Sequence, residues 1–155
     1  MKPRILFVCL GNICRSPLAE GILKHRLQQA DLLDVMVDSA GTGGWHAGEG
    51  PDPRSVAVAR RHGVDLTGQR ARKFRAEDFE DFDWIFAMDQ DNLRSLQSLE
   101  PPGFAGRLEL MLDSARGGPA DVPDPYYGGP GGFETVYGLL DAAAEALVDD
   151  ITARA

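Results

Sequence analysis

The chain opens on an unbroken apolar run, Ile5 to Val8, held between Pro3 and Gly11. Such a run, short and without alternation, predicts a strand buried on both faces. From Pro17 to Ala30 the period changes, with Ala19, Ile22, Leu23, Leu27 and Ala30 at helical spacing. Ser16-Pro17 reads as an N-cap followed by a first-turn proline. Val35-Met36-Val37 predicts a second strand, followed by a glycine-rich loop from Gly41 to Gly50 and a helix from Pro53 to His62, closed by Gly63. Trp84 to Ala87 predicts a third strand, Asn92 to Leu99 a helix that stops before Pro101-Pro102, and Leu108 to Met111 a fourth strand. A loop rich in Gly, Pro and Asp runs from Asp113 to Gly132. The last helix, Phe133 to Ile151, carries Val136, Leu139, Leu140, Ala143, Leu147 and Ile151 on one side.

Strands alternating with helices predict an α/β fold: one domain over residues 1–155, its four-stranded parallel sheet flanked by helices on both faces. No internal repeat or linker divides the chain. Arg70 to Arg75 holds four basic residues in six, and an acidic stretch from Glu77 to Asp83 follows. Both read as solvated faces.

Composition narrows the function. In 155 residues, 43% are hydrophobic and 26% charged, the balance of a globular protein. No apolar run approaches the roughly 18 residues of a membrane span, and Ile5 to Leu10 is too short for a signal-peptide core. Sixteen basic against twenty-four acidic residues leave a net charge of -8, which argues against a nucleic-acid binder. Two cysteines make no disulfide scaffold, so a reduced, cytoplasmic setting is expected.

The chemistry is concentrated after the first strand, in Cys9-Leu10-Gly11-Asn12-Ile13-Cys14-Arg15-Ser16-Pro17. Ligands of parallel α/β sheets collect at the carboxyl ends of strands. Gly11 and Asn12 tolerate unusual backbone angles, which lets loop N–H groups turn inward. The following helix adds the positive end of its dipole, and Arg15 a planar fork that matches two phosphate oxygens. Together these form a cradle for a tetrahedral oxyanion, and the same field favours the thiolate of Cys9 as a nucleophile. The Gly-Lys-Ser/Thr ending of a nucleotide-binding loop is absent. Cys9 and Cys14 lack the spacing and the second ligand pair of a zinc site, so no metal and no cofactor is expected.

A departing alkoxide or phenolate needs a proton. The loop from Asp113 to Gly132 offers Asp113, Asp121 and Asp124. Pro125, which restricts its neighbour's backbone, and the two tyrosines that follow favour Asp124. A bound phosphate beside it favours its protonated form. Tyr126 and Tyr127 suit one wall of a slot for an aromatic ring and Trp45 the other, although Tyr127 fits equally as a packed loop residue.

Cys9 to Pro17, reading CLGNICRSP, resembles the signature of the low-molecular-weight protein tyrosine phosphatases. Asp124-Pro125-Tyr126-Tyr127 is similar to the segment that completes that family's active site. Asp38-Ser39-Ala40-Gly41-Thr42, Pro51-Asp52-Pro53-Arg54, His62-Gly63 and Ala87-Met88-Asp89 also sit where the family has similar segments. The resemblance implies a four-stranded parallel sheet, Cys9 as nucleophile through a phosphocysteine, and Asp124 as general acid and then base. Arg15 and the loop from Leu10 through Cys14 would bind phosphate. It also implies that Ser16 hydrogen-bonds the Cys9 sulfur, that Asn12 holds a left-handed kink anchored by Ser39, and that Trp45 and the second tyrosine stand at the pocket mouth. Glu20 and Asp89 belong to the same polar network or are buried structural carboxylates. Many members have a histidine near position 69, where this chain has Gln69.

The expected partner is a phosphotyrosine-containing protein, with phosphate and other tetrahedral oxyanions as inhibitors; a monomer or weak homodimer is expected. Cys14 either closes a protective disulfide with Cys9, making the site redox-sensitive, or is a small buried residue. Among rivals, arsenate reductases on this fold need a relay of further cysteines, and only Cys14 is present. Protein-arginine phosphatases have a threonine where this chain has Ile13, and an apolar Ile13 suits a phenyl ring better than a guanidinium. A catalytically silent phosphate-binding module would have lost Cys9, Arg15 or Asp124.

Overall fold

The computed structural model describes residues 2–116, 121–126 and 131–154. Strands β1 (Ile5–Cys9), β2 (Val37–Gly41), β3 (Trp84–Ala87) and β4 (Arg107–Leu110) form one parallel sheet in the order β2-β1-β3-β4. Six helices accompany them: α1 (Arg15–Gln29), α2 (Pro53–Arg61), α3 (Asp78–Asp81), α4 (Gln90–Gln97), α5 (Met111–Arg116) and α6 (Gly131–Arg154).

The central strand β1 is buried along its whole length, as its unbroken apolar run predicts. Its side chains alternate between two cores. Ile5, Phe7 and Cys9 join Leu18, Ile22 and Leu23 of α1 and Val136, Leu140 and Leu147 of α6. Leu6 and Val8 join Phe74, Phe79, Phe82 and Leu96 on the other face. Helices therefore cover both faces. The consequence for the site is directional: β1 ends at Cys9, beside Gly41 of β2, at the carboxyl edge of the sheet.

Several elements depart from the pattern. The second strand runs over Val37–Gly41 rather than Val35–Val37, with Met36 exposed. Its Asp38 and Ser39 mask it as a loop, but the buried Ser39 hydroxyl is satisfied by hydrogen bonds to Asn12 and Glu20. Ser16 is not the cap of α1. The helix starts at Arg15 after Cys14, and the Ser16 hydroxyl is occupied inside the site. Of the loop expected from Asp113 to Gly132, the residues up to Arg116 belong to α5, whose Met111 and Leu112 are core residues, and Gly131 and Gly132 open α6.

The charge run is a solvated face at Arg70, Lys73, Arg75, Glu77, Glu80 and Asp81, but not at Arg72 and Asp78. Arg72 donates two hydrogen bonds to Asp78, at 3.0 and 3.1 Å, and two to Asp38. Asp78 is 0% exposed, and Phe74, Phe79 and Phe82 around it are core. Burial works against the charge on Arg72, but Asp78 and Asp38 more than offset it, so its pKa lies above the ordinary value. Among the described residues, no helix is long and apolar enough to cross a membrane.

Candidate active site

The loop after β1 is held from outside through its carbonyls. Cys9 O accepts from Thr42 N at 2.9 Å, Leu10 O from Gly43 N at 2.9 Å, and Ile13 O from Asp52 N at 2.8 Å. Cys14 O accepts from Ser55 Oγ at 3.4 Å. A trans peptide sets each carbonyl opposite the following N–H. Engaging those four carbonyls outside the loop therefore turns the amides of Leu10, Gly11, Cys14 and Arg15 inward, the concave arrangement that binds anions. Gly41 permits the close approach: a Cβ there would stand 2.9 Å from Leu10 O and 3.1 Å from Asn12 N.

The left-handed kink is at Asn12, φ 58°. Gly11 has no positive φ; its value lies in its size, since a Cβ would stand 3.1 Å from His46 Cδ2. The Asn12 side chain is spent on three partners. Nδ2 donates to Ser16 Oγ at 2.8 Å and to Ser39 Oγ at 3.0 Å, while Oδ1 accepts from Arg72 N at 2.9 Å. Ser39 Oγ donates in turn to Glu20 Oε1 at 2.6 Å, and Lys24 closes the chain on Glu20 Oε2 at 2.6 Å.

At the centre is the Cys9 sulfur, 3.0 Å from Ser16 Oγ and 3.3 Å from Asn12 N. Because Ser16 Oγ already accepts from Asn12, its proton is available for the sulfur or for Ala40 O at 3.4 Å. Arg15 is 2% exposed. Its Nη1 donates to Asp89 at 2.7 Å and to Val122 O at 2.9 Å, and Nη2 meets Asp124 at 3.5 Å. Burial opposes the charge, but Cys9, Asp89 and Asp124 outweigh it, so the guanidinium pKa lies above its ordinary value. The fork is thus fixed in direction by Asp89 and Val122 before any ligand arrives.

A cavity of about 290 Å³ opens over this loop, and Cys9, Arg15, Asp124, Ile13, Trp45 and Tyr126 are among the residues that line it. Leu10, Gly11 and Cys14 line it too. Of the three candidate aspartates only Asp124 is there. Asp121 accepts from Gln90 N at 3.1 Å, and Asp113 lies on α5. Tyr127 lies outside the described residues. Gln69 donates to Pro17 O at 3.0 Å, and its Oε1 has no partner among the described residues.

Cys9 and Cys14 are both free and buried. Burial pushes the Cys14 thiol up to about 12, with help from the negative charge of Asp52.

Two contributors escaped the sequence reading. His46 lines the cavity and is held by Glu49 at 3.2 Å. Arg54 grips Asp52 through Nε at 3.0 Å and Nη2 at 2.9 Å, and donates to Tyr126 O at 2.9 Å. Its guanidinium also lies 5.2 Å from the Tyr126 ring. Asp52 caps α2 through Arg54 N, and its own N–H holds Ile13 O, so this pair ties the phosphate-type loop to the segment that carries Asp124. In the sequence, Arg54 stood out only within Pro51-Asp52-Pro53-Arg54, a segment of the family resemblance that carried no role for it.

The family model for the low molecular weight phosphotyrosine protein phosphatases matches residues 4–155. The chain belongs to that family. It is a protein-tyrosine phosphatase, a hydrolase. A low molecular weight protein-tyrosine-phosphatase of Streptomyces coelicolor is 44% identical over 153 residues, covering 96% of this chain and 93% of the relative. The crystal structure of a protein tyrosine phosphatase from Entamoeba histolytica is 39% identical, with TM-score 0.90 and 96% of each chain covered. A Drosophila arginine phosphatase is 37% identical, with TM-score 0.88 and 97% of each chain covered.

Proposed function

We propose that this phosphatase hydrolyses phosphotyrosyl esters in two displacements at phosphorus. Arg15 and the inward amides bind the phosphoryl oxygens, where negative charge is concentrated in the transition state. The Cys9 thiolate forms an S–P bond as the P–O bond to the phenol breaks, and Asp124 gives its proton to the departing oxygen. Water then attacks phosphorus, Asp124 takes its proton, and the S–P bond breaks to release orthophosphate. The Ser16 hydroxyl, 3.0 Å from the sulfur, stabilises the thiolate as it leaves. Free phosphate and other tetrahedral oxyanions compete for the same cradle. A cytoplasmic setting, where Cys9 stays reduced, belongs to this reading.

The observation that carries it is the convergence of a buried arginine, a hydrogen-bonded cysteine and one carboxylate on a single cavity. Ile13, apolar and lining that cavity, supports an aryl ester over a phosphoguanidine. The test is hydrolysis of para-nitrophenyl phosphate in EDTA between pH 5 and 8. Cys9→Ser should abolish turnover, and Asp124→Asn should lower kcat by about 10²–10⁴-fold. Undiminished turnover in Cys9→Ser would sink the mechanism. Faster release of phosphate from phosphoarginine than from phosphotyrosine would replace the substrate assignment.

A further inference from the structure

Among the described residues, four of the six large hydrophobic side chains that stand exposed, Leu10, Trp45, Leu99 and Tyr126, line the catalytic cavity or a second one beside it. Clustered apolar exposure of this kind marks a binding surface. The second cavity holds about 300 Å³; Leu10 and Trp45 line both, so the two share a wall. Its remaining apolar lining comes from Phe74, Leu96 and Leu99, with Lys73 also among its residues. Lys73 is exposed and forms no ion pair among the described residues. Trp45 is 71% exposed, and its ring lies over Gly43, where a Cβ would fall 1.8 Å from it. No chemistry in the proposed mechanism uses this second cavity.

We propose that it is a substrate subsite for a large apolar side chain two positions from the phosphotyrosine, an inference that rests on the phosphotyrosyl reading above. The spacing is the argument. Groups packed on either side of a wall one side chain thick lie about 7–8 Å apart, twice a carbon–carbon contact. In an extended peptide, side chains two positions apart share a face and lie about 6.4–6.8 Å apart. The neighbouring residue points the other way. Lys73 then favours a carboxylate further along the same peptide.

The experiment measures kcat/KM on phosphotyrosyl peptides of otherwise Ala/Gly sequence, with Leu or Ala at each of the two positions two residues away. At one of them Leu should raise kcat/KM about five- to ten-fold, the gain from partial burial of the larger side chain. The Leu-to-Ala ratio should fall towards one in Leu99→Ser. A ratio is used because partial misfolding lowers both numbers equally. Ratios near one in the wild type overturn the subsite while leaving the phosphatase reading intact. A preference that survives Leu99→Ser also overturns it. Ratios near one together with self-association lost in Leu99→Ser, seen by sedimentation, assign the groove to a second copy of the chain instead. No release of phosphate from any peptide overturns the subsite together with the reading beneath it.

Discussion

Asn12→Ala tests the architecture of the site at its most connected residue. The side chain is 3% exposed and makes three hydrogen bonds, and its backbone holds φ 58°. Removing it leaves Arg72 N without its acceptor, which costs about 1–2 kcal/mol. The two hydroxyls that lose Nδ2 keep other partners, Ser16 with Ala40 O and Ser39 with Glu20, so each loss is only about 0.5 kcal/mol. Alanine in the left-handed region adds about 1 kcal/mol. The sum is about 3–4 kcal/mol, or a drop in Tm of about 6–16 °C for a chain of this size. Urea titration followed by circular dichroism measures it, with Ser39→Ala as the second arm of a double-mutant cycle. Ser39→Ala should cost less in the Asn12→Ala background than in the wild type, because their shared hydrogen bond is already gone. A loss below about 1 kcal/mol, or strict additivity, would refute the claim that this side chain organises the loop.

Two further outcomes follow from the same geometry. Arg54→Ala should lower kcat/KM about tenfold for phenyl phosphate but less than twofold for 2,4-dinitrophenyl phosphate, whose leaving group needs no proton. Equal losses on both esters would mean that Arg54 does not position Asp124. The Cys14 thiol is pushed up to about 12 in the fold, against 9.0 for the free group. Since the folded value is the higher one, the stability it contributes is complete below about pH 9 and is lost as pH rises toward 12. In a Cys9→Ser background, which removes one of the smaller causes of that rise and leaves burial and Asp52 in place, the protein should lose stability as pH rises above about 9 relative to the same protein carrying Cys14→Ser. Parallel curves would show that Cys14 is not buried as described.

The sequence by itself determined the β1–loop–α1 unit, because its instructions are local. An unbroken apolar run makes a central strand, and helical spacing from Leu18 onward makes the helix that covers it. Between them lie a cysteine, an arginine and an asparagine able to take a left-handed kink. The same holds for α2 between Pro53 and its closing Gly63, for β3, and for the amphipathic α6. Tertiary structure decided where polarity is buried. Ser39 within a strand, Asp78 in an acidic run and Arg72 in a basic one each look solvated in one dimension, and each is buried or part-buried against a partner that the pattern of charges along the chain does not single out. Ser16 shows the same competition: locally it is an ideal cap, but the sulfur seven residues earlier takes its hydroxyl. Asp124, already favoured over Asp113 and Asp121 by Pro125 and the tyrosines after it, owes its position 3.5 Å from Arg15 to the fold, which no local pattern specifies. Hydrophobic period is written along the chain, whereas the pairing of charges and hydroxyls is a property of distances through space.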